Sequence, residues 1–235
     1  MSENKPTVLC FSGLDPTGAA GIQADIETLF SIGCHCAPVI TALTAQNTQN
    51  VIAVEATEPS LLVQQARAVL EDIPVVLDPV ISAGGGYEFG GDEIIEAMRS
   101  LLIPLTMVLT PNTEELSRLA PTADTLDACA NELLDTGCQH ILLTGTHAQT
   151  PDVVNKLYAP HQGITVFNWP RLENNYHGSG CTLAAAIAGY LAHKLTLPDA
   201  IQQAQRFTWE ALSHGTRMGF GQHTPNRSFW NKQIL

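Results

Sequence analysis

The stretch YHGSGCTLAAAIAGYLA, Tyr176 to Ala192, places a cysteine in the first turn of a helix of small residues, directly behind two glycines. Gly178 and Gly180 allow the backbone to turn tightly, so the amides from Gly178 to Cys181 are expected to point outward from a helix N-terminus. Such a terminus attracts phosphate, and the same field activates a thiol. Cys181 is therefore either a reactive group beside a phosphate or an inert thiol in a closely packed helix.

Strand-like and helix-like segments alternate on both sides of this stretch. Apolar strands that alternate with helices indicate an α/β domain whose mostly parallel sheet is covered by helices on both faces, with ligands at the carboxyl ends of the strands. Strands are predicted at TVLCFSG (7–13), APVITALTAQN (37–47), VVLDPV (75–80), MVLTPN (107–112) and ILLTGTH (141–147), with a hairpin of VVNKLYA (153–159) and ITVFNWPRL (164–172). Helices are predicted at 21–33, at 60–73 with Ser60 as the cap, at 92–102, at 114–120, from Cys181 onward, and at 198–215.

Composition excludes several classes of function. The chain has 23 acidic and 11 basic residues and a formal charge of -12, with no cluster of Lys and Arg, so nucleic acid and anionic membrane are poor partners. Six cysteines occur without a CxxC pair, and Cys34-His35-Cys36 lacks a second ligand pair for zinc, so buried reduced thiols are expected. The absence of a long apolar run and of a signal-like N-terminus predicts a cytoplasmic protein, and the 235 residues are interpreted as one domain.

Three segments that follow predicted strands are candidates for ligand binding. They are GLDPTGAAG (13–21), DPVISAGGG (78–86) and TPNTEE (110–115). None of them fits the G-x-G-x-x-G or the G-x-x-x-x-G-K-[ST] pattern, so the standard dinucleotide and Walker sites are not supported.

The order of the motifs resembles the hydroxymethylpyrimidine kinase / phosphomethylpyrimidine kinase family of thiamine biosynthesis, within the ribokinase-like superfamily. The resemblance covers nearly the whole chain and implies a three-layer sandwich with a mostly parallel central sheet. TAQNTQ and the cysteine form of the anion-hole motif are specific within the superfamily, whose sugar kinases carry Asp at the position of Cys181. The segments that resemble the family are FSGLDPTGAAGIQADIETLFSIG (11–33), VITALTAQNTQ (39–49), VVLDPV, LTPNTEEL (109–116) and the opening stretch.

The resemblance also implies an activity and its catalytic residues. The chain would transfer phosphate from ATP, with Mg²⁺, to 4-amino-5-hydroxymethyl-2-methylpyrimidine and then to its monophosphate. Cys181 would be the base that takes the substrate proton, and the amides of Gly178, Ser179 and Gly180 would stabilise the transferring phosphoryl group. Pyridoxal kinase, and a catalytically weak pyrimidine-binding homologue, are the alternatives.

Further family positions imply how the substrates are bound. Gln46 would bind the pyrimidine edge through its amide, the alternative being a solvated loop glutamine. Gly13 and Asp15 would line the substrate pocket, with Gly21 opening the next helix, although the residues alone favour a simple turn. Asn112 and Glu115 match an N-x-x-E pattern in which the glutamate organises hydrated Mg²⁺, and Asn112 also suits a helix cap. His177 and His147 match family positions or are only hydrogen-bonded scaffold. The implied partners are the pyrimidine substrate and ATP, with a homodimer left open.

The chain departs from the family at three places. Thr144-Gly145-Thr146-His147 stands where the family often has Lys-Gly-Gly-His, and Leu14 and Ala19 replace a serine and a glycine. The largest departure is a gap, because the helix ending at Ile73 leads directly through Pro74 into VVLDPV. One βα unit of about 30 residues is missing there, so we expect the flanking strands to re-pair into a smaller sheet and the pyrimidine pocket to lose a wall.

Overall fold

The computed structural model describes residues 5–68, 75–81, 91–145 and 150–231. The chain divides into two compact units, Met1–Ile73 with Leu172–Leu235, and Pro74–Arg171. The interpretation of residues 1–235 as one domain stays a prediction. In chain order the elements are β1 (Thr7–Leu14), α1 (Gly21–Ile32), β2 (His35–Gln46), β3 (Val51–Ala56), α2 (Pro59–Arg67), β4 (Val76–Leu77), α3 (Asp92–Ala97) with a π turn (Met98–Leu102) and a 3-10 turn (Ile103–Leu105), β5 (Val108–Leu109), α4 (Thr113–Leu119), α5 (Leu126–Asp135), β6 (Ile141–Leu143), β7 (Asp152–Tyr158), β8 (Thr165–Pro170), α6 (Ser179–Ala192) and α7 (Leu197–Ser213).

A β-α-β arrangement forms the first unit. β1 and β2 are parallel, and α1, which connects them, packs against both strands. Ile22 and Leu29 on α1 are buried against Cys10 on β1, and this apolar contact fixes the helix to the sheet. Gly33 ends α1 in the left-handed conformation, with φ 88°, as the sequence predicts. Helix α6 packs on α1 and β1, and α7 packs on α6.

The sequence did not predict strand β3, which pairs antiparallel with the end of β2. Its pattern is weak because Ile52, Ala53, Glu55 and Ala56 are all exposed, so no buried face alternates with a polar one. The resulting hairpin places Gln46 at the tip of β2, at the carboxyl edge that β1 and β2 share.

The second unit contains the parallel strands β4, β5 and β6, followed by the antiparallel strands β7 and β8. The predicted hairpin of residues 153–172 is confirmed in β7 and β8. Leu109 and Ile141, on adjacent parallel strands, are fully buried in the same apolar core as α4 and α5. Helix α5, which the sequence did not predict, covers this core with Cys129, Ala130 and Leu133.

Two expectations need correction. Helix α2 begins at Pro59, so Ser60 lies inside the helix and is not its cap; proline fits the first helical position because it has no N–H to leave unpaired. The described strands also form two sheets, one in each unit, instead of one re-paired sheet. β1 and β4 are edge strands of these two sheets.

None of the helices in the described part of the chain is long and apolar enough to span a membrane. Four cysteines are buried, as expected for reduced thiols, whereas Cys36 and Cys181 are partly exposed.

Inserting a family-like βα unit after Pro74 is expected to raise both the urea midpoint and the kcat/KM for the pyrimidine substrate that the family resemblance implies. A strand at this position would offer ladder bonds on both sides, and its helix would cover apolar surface. The control is a Gly/Ser insertion of the same length, which adds chain without a strand. Equal midpoints and equal catalytic efficiencies for the chain with and without the βα unit would show that the gap is harmless.

Candidate active site

The N-terminus of α6 has the geometry that the sequence predicts for an anion site. Gly178 caps the helix in the left-handed conformation with φ 83°, and a Cβ there would lie 1.9 Å from the carbonyl oxygen of Ala19. The first intrahelical bond runs from the N–H of Thr182 to the carbonyl oxygen of Gly178 at 3.0 Å. The amides of Ser179, Gly180 and Cys181 therefore precede the hydrogen-bonded turns and point out of the helix end. Cys181 is its third residue and is partly exposed.

Asp15 organises the loop that faces this helix end. Its side chain accepts hydrogen bonds from the N–H of Thr17 and the N–H of Ala20, both at 2.9 Å, and from the Thr17 hydroxyl. His177 Nε2 lies 3.2 Å from Asp15 Oδ2. Loss of water raises the pKa of Asp15, but His177 and these donors outweigh it and lower the pKa to about 2. Asp15 is thus an ionised turn residue whose side chain holds the loop that faces the start of α6.

Gly13 and Gly21 meet where β1 ends and α1 begins. Gly21 has φ 60°, and a Cβ on it would lie 2.3 Å from the carbonyl oxygen of Gly13. Only glycine fits this approach, so the structure explains Gly21 as a packing residue. Its place in a substrate pocket, like that of Gly13, stays a prediction.

Gln46 is held by a chain of hydrogen bonds at the tip of β2. Its Nε2 donates to the Thr44 hydroxyl at 2.9 Å, and that hydroxyl donates to the carbonyl oxygen of Leu14 at 2.7 Å. The side chain is partly buried in a strand, which differs from the freely solvated loop glutamine of the alternative interpretation. The second amide hydrogen and the amide oxygen retain the capacity to pair with a ring nitrogen and its amino group.

A C-terminal segment, residues 214–231, contacts both the chain just before α6 and the β2–β3 hairpin. The N–H of His177 donates to the carbonyl oxygen of His223 at 3.0 Å, and the N–H of His223 donates to Asn175 at 2.8 Å. Near the hairpin, the N–H of Gln222 donates to the carbonyl oxygen of Thr48 at 3.3 Å. No local sequence pattern indicates this arrangement, because the partners are far apart along the chain and belong to no helix or named strand.

In the second unit, Asn112 and Glu115 form a capping box on α4. Asn112 Oδ1 accepts from the N–H of Glu114 and of Glu115, and Glu115 Oε2 accepts from the N–H of Asn112, all at 2.9 Å. The cap expected for Asn112 is therefore present. Glu115 is 8% exposed, and loss of water together with the charge of Asp78 raises its pKa to about 7 against the opposing bond from Asn112.

Asp78 is a candidate that the sequence interpretation missed, although its position directly after a strand was a usable signal. Loss of water raises the pKa of Asp78 to about 6, against a 3.2 Å hydrogen bond from the Thr110 hydroxyl. Asp78, Asn112 and Thr144 follow the parallel strands β4, β5 and β6, so they lie at one carboxyl edge. Carboxylate oxygens are among the ligands that a hard cation such as Mg²⁺ prefers.

The structure brings the predicted residues together in two sets, one in each unit. Within the described residues, no three His, Cys, Asp or Glu side chains cluster closely enough to hold a metal by themselves. Thr146 and His147 lie outside the described residues, while the N–H of Gly145 donates to Asn155 Oδ1 at 2.9 Å. Gly13, Asp15, Gly21, Gln46, Gly178, Ser179, Gly180 and Cys181 belong to the first unit, and Asn112 and Glu115 to the second.

Comparison with known proteins assigns the family. A model of the phosphomethylpyrimidine kinase family matches residues 15–75 and 73–226, which is most of the chain. The chain belongs to this family. The two matched segments meet at residues 73–75, where the sequence predicts a missing βα unit.

Curated relatives agree with the assignment. The chain is 32% identical to the hydroxymethylpyrimidine/phosphomethylpyrimidine kinase of Rhizobium meliloti, with 91% of this chain and 93% of that protein covered. It is 33% identical to the thiamine biosynthesis bifunctional protein ThiED of Geobacter sulfurreducens, covering 93% of this chain but spanning only 51% of that longer protein. The Geobacter alignment runs over 256 positions and takes in about 219 of the 235 residues here, so about 37 of its positions face a gap in this chain.

The fold matches that of solved pyridoxal kinase structures. The structure of pyridoxal kinase from Staphylococcus aureus in complex with pyridoxal matches with a TM-score of 0.87 and 22% identity, covering 98% of this chain and 96% of that one. The same enzyme in complex with AMP-PCP and pyridoxal matches with a TM-score of 0.85 and 21% identity, over the same shares of both chains. At these identities the likeness shows the fold alone, and it confirms the α/β ribokinase-like prediction.

Asp15 is expected to stabilise the protein above pH 4 and to lose that effect in acid. Its folded pKa of about 2 lies below the unfolded value of 3.8, so the unfolded state takes up the proton first and stability falls as the pH drops towards 2. Between pH 5 and pH 2, wild type should lose about 2 kcal/mol relative to Asp15→Asn. Urea titrations at each pH measure this difference, with Asp152→Asn, at an exposed residue of β7, as the control. Parallel curves for wild type and Asp15→Asn would contradict the assigned hydrogen bonds.

Proposed function

We propose that this chain uses ATP and Mg²⁺ to phosphorylate 4-amino-5-hydroxymethyl-2-methylpyrimidine and then its monophosphate. The main observation is the end of α6, where Gly178 and His177 contact the Asp15 loop and Cys181 stands in the first turn of the helix. The name of the Rhizobium relative supports the two substrates, and the nucleotide analogue in the Staphylococcus aureus complex supports ATP. A cytoplasmic location and a single kinase domain over residues 1–235 are parts of the same proposal.

The proposed transfer needs a base and a site for negative charge. The Cys181 thiolate accepts the proton of the substrate hydroxyl, whose oxygen bonds to the γ-phosphorus while the bond from that phosphorus to the ADP oxygen breaks. The amides of Ser179 and Gly180 stabilise the charge that develops on the phosphoryl oxygens. For the monophosphate, an oxygen of the substrate phosphate attacks the γ-phosphorus in the same way. The Cys181 thiolate accepts the proton of that oxygen when it carries one.

Mg²⁺ would neutralise the phosphate charge of the nucleotide. Asp78 and Glu115 are the carboxyl groups of the second unit that fit a hydrated cation, because an ion with waters needs only one or two protein ligands. Their raised pKa values mean that ionisation without a cation is costly.

Two other functions remain as outcomes of the test. Pyridoxal kinase is favoured by the fold of the Staphylococcus aureus enzyme, and a weak pyrimidine-binding protein is favoured by the gap at residues 73–75. A coupled ADP-release assay with the pyrimidine alcohol, its monophosphate and pyridoxal side by side separates them. The proposal expects turnover of both pyrimidines above that of pyridoxal. Faster turnover of pyridoxal, or pyrimidine binding without ADP release, would replace it.

Cys181→Ala is expected to lower kcat by about 10²- to 10⁴-fold while nucleotide binding remains, because the variant removes the base and leaves the helix amides in place. Cys129→Ala is the control. It removes a buried thiol of α5 whose pKa is raised by loss of water, so it should lower stability and leave kcat near the wild-type value. Wild-type turnover in a folded Cys181→Ala protein would exclude the base role.

Gln46→Leu is expected to reduce the preference for the pyrimidine over pyridoxal. The substitution keeps the apolar volume but leaves polar ring atoms without partners, at a cost of about 1–3 kcal/mol. The ratio of kcat/KM for the two substrates measures the effect. Gln49→Leu, at an exposed residue of the same hairpin, should leave the ratio unchanged. An unchanged ratio in Gln46→Leu would place this side chain outside the recognition surface.

A further inference from the structure

Arg227 is a fully buried guanidinium in the C-terminal segment, with 1% of the residue exposed. Its Nε donates to the Thr182 hydroxyl at 3.0 Å, and its Nη2 donates to the carbonyl oxygen of Ala19. Its Nη1 donates to the carbonyl oxygen of Gly18 at 3.4 Å and to Glu27 Oε2 at 3.1 Å. Each of the three guanidinium nitrogens of Arg227 therefore has an acceptor.

Three of these acceptors belong to the two elements that form the candidate anion site. Gly18 and Ala19 lie in the loop between Asp15 and α1, and Thr182 follows Cys181 in the first turn of α6. The fork also touches the helix cap, because a Cβ on Gly178 would lie 3.0 Å from Arg227 Nη2. One side chain thus joins the Asp15 loop to the start of α6.

The connection continues beyond Arg227 in both directions. The Thr182 hydroxyl, which accepts from Arg227, donates to the carbonyl oxygen of Gly178 at 2.7 Å and so fixes the cap itself. On the other side, the Ser31 hydroxyl donates to the carbonyl oxygen of Arg227 at 2.6 Å. The N–H of Asn226 donates to the carbonyl oxygen of Ala211 on α7 at 2.8 Å. Hydrogen bonds to α1 and α7 therefore hold the backbone that carries the guanidinium.

The charge of Arg227 also points to a role beyond packing. Burying a guanidinium is costly unless it is paired, and its carboxylate partner Glu27 is itself 42% exposed at the side chain. A neutral side chain of similar size would fill the same space at lower cost. A positive charge against the end of α6 adds to the field of the helix amides, which is useful where a phosphate is received.

We propose that Arg227 is a positioning residue for phosphoryl transfer, holding the Asp15 loop and the first turn of α6 in the geometry that receives the transferring group. This inference rests on the proposed function. Arg227 lies one residue beyond the segment that the family model matches. Lysine cannot replace it, because an ammonium group keeps the charge but lacks the planar fork that reaches carbonyl oxygens on one side and the Thr182 hydroxyl on the other.

Arg227→Lys is the main test, with Arg206→Lys, at an exposed residue of α7, as the matched control. The Arg227 variant should remain cooperatively folded in urea and lose about 10- to 100-fold in kcat, by analogy with the loss of a site-positioning contact. The KM for the pyrimidine should change much less, because Gln46 lies on the β2–β3 hairpin. Wild-type kcat in Arg227→Lys, with only a lower urea midpoint, would overturn the positioning role and leave the proposed function intact.

Hydrogen exchange gives a second measurement that does not depend on turnover. In wild type, inorganic phosphate should slow exchange in peptides covering residues 177–183, and Arg227→Lys should lose this protection while a peptide over α5 exchanges as before. Equal phosphate protection in the two proteins, or none in wild type, would overturn the inference. If wild type releases no ADP with any of the three substrates but the difference in protection is present, the proposed function fails and the positioning of an anion site stands.

Discussion

The close approach of two backbone segments at Ala19 and Gly178 is the constraint on which the first unit depends. A carbonyl oxygen occupies the place where a side chain would begin, and the left-handed cap turns the chain into α6 at that point. The contact leaves no room for any residue except glycine. It is secured from one side by Asp15, through His177, and from the other by Arg227. The geometry at the start of α6 is therefore a product of the way two loops pack together, and a helix end alone would not provide it.

The acidic groups of the two units are controlled by opposite physical effects. Asp15 accepts several hydrogen bonds, which favour its ionised form although it is buried. Glu115 and Asp78 have fewer donors, and loss of water dominates, so their protons are held to higher pH. The first carboxylate is therefore a structural acceptor that stays ionised, whereas the other two ionise only at higher pH.

Much of the fold could be predicted because its signals are local. The spacing in α1 with Gly33 after it, the cap at Asn112 and the two glycines before Cys181 each identify an element within a few residues. Strand β3 could not be predicted, since its residues are mostly exposed and leave no alternating pattern. Arg227 could not be predicted either, because its acceptors Thr182 and Ala19 lie 45 and 208 residues before it in the chain, a distance that no local pattern encodes. The missing unit was visible only against the family pattern, and the split match at residues 73–75 agrees with it.

The C-terminal segment has a consequence for the order in which the protein can be made. The ribosome makes the β1–α1 loop and the β2–β3 hairpin well before it makes Gln222 and His223, which are the backbone partners of Thr48 and His177. Synthesis proceeds from the N-terminus at about 5–20 residues per second. The residues of β1, α1 and β2 therefore leave the ribosome on the order of 10 seconds or more before the segment that contacts the Asp15 loop and the start of α6.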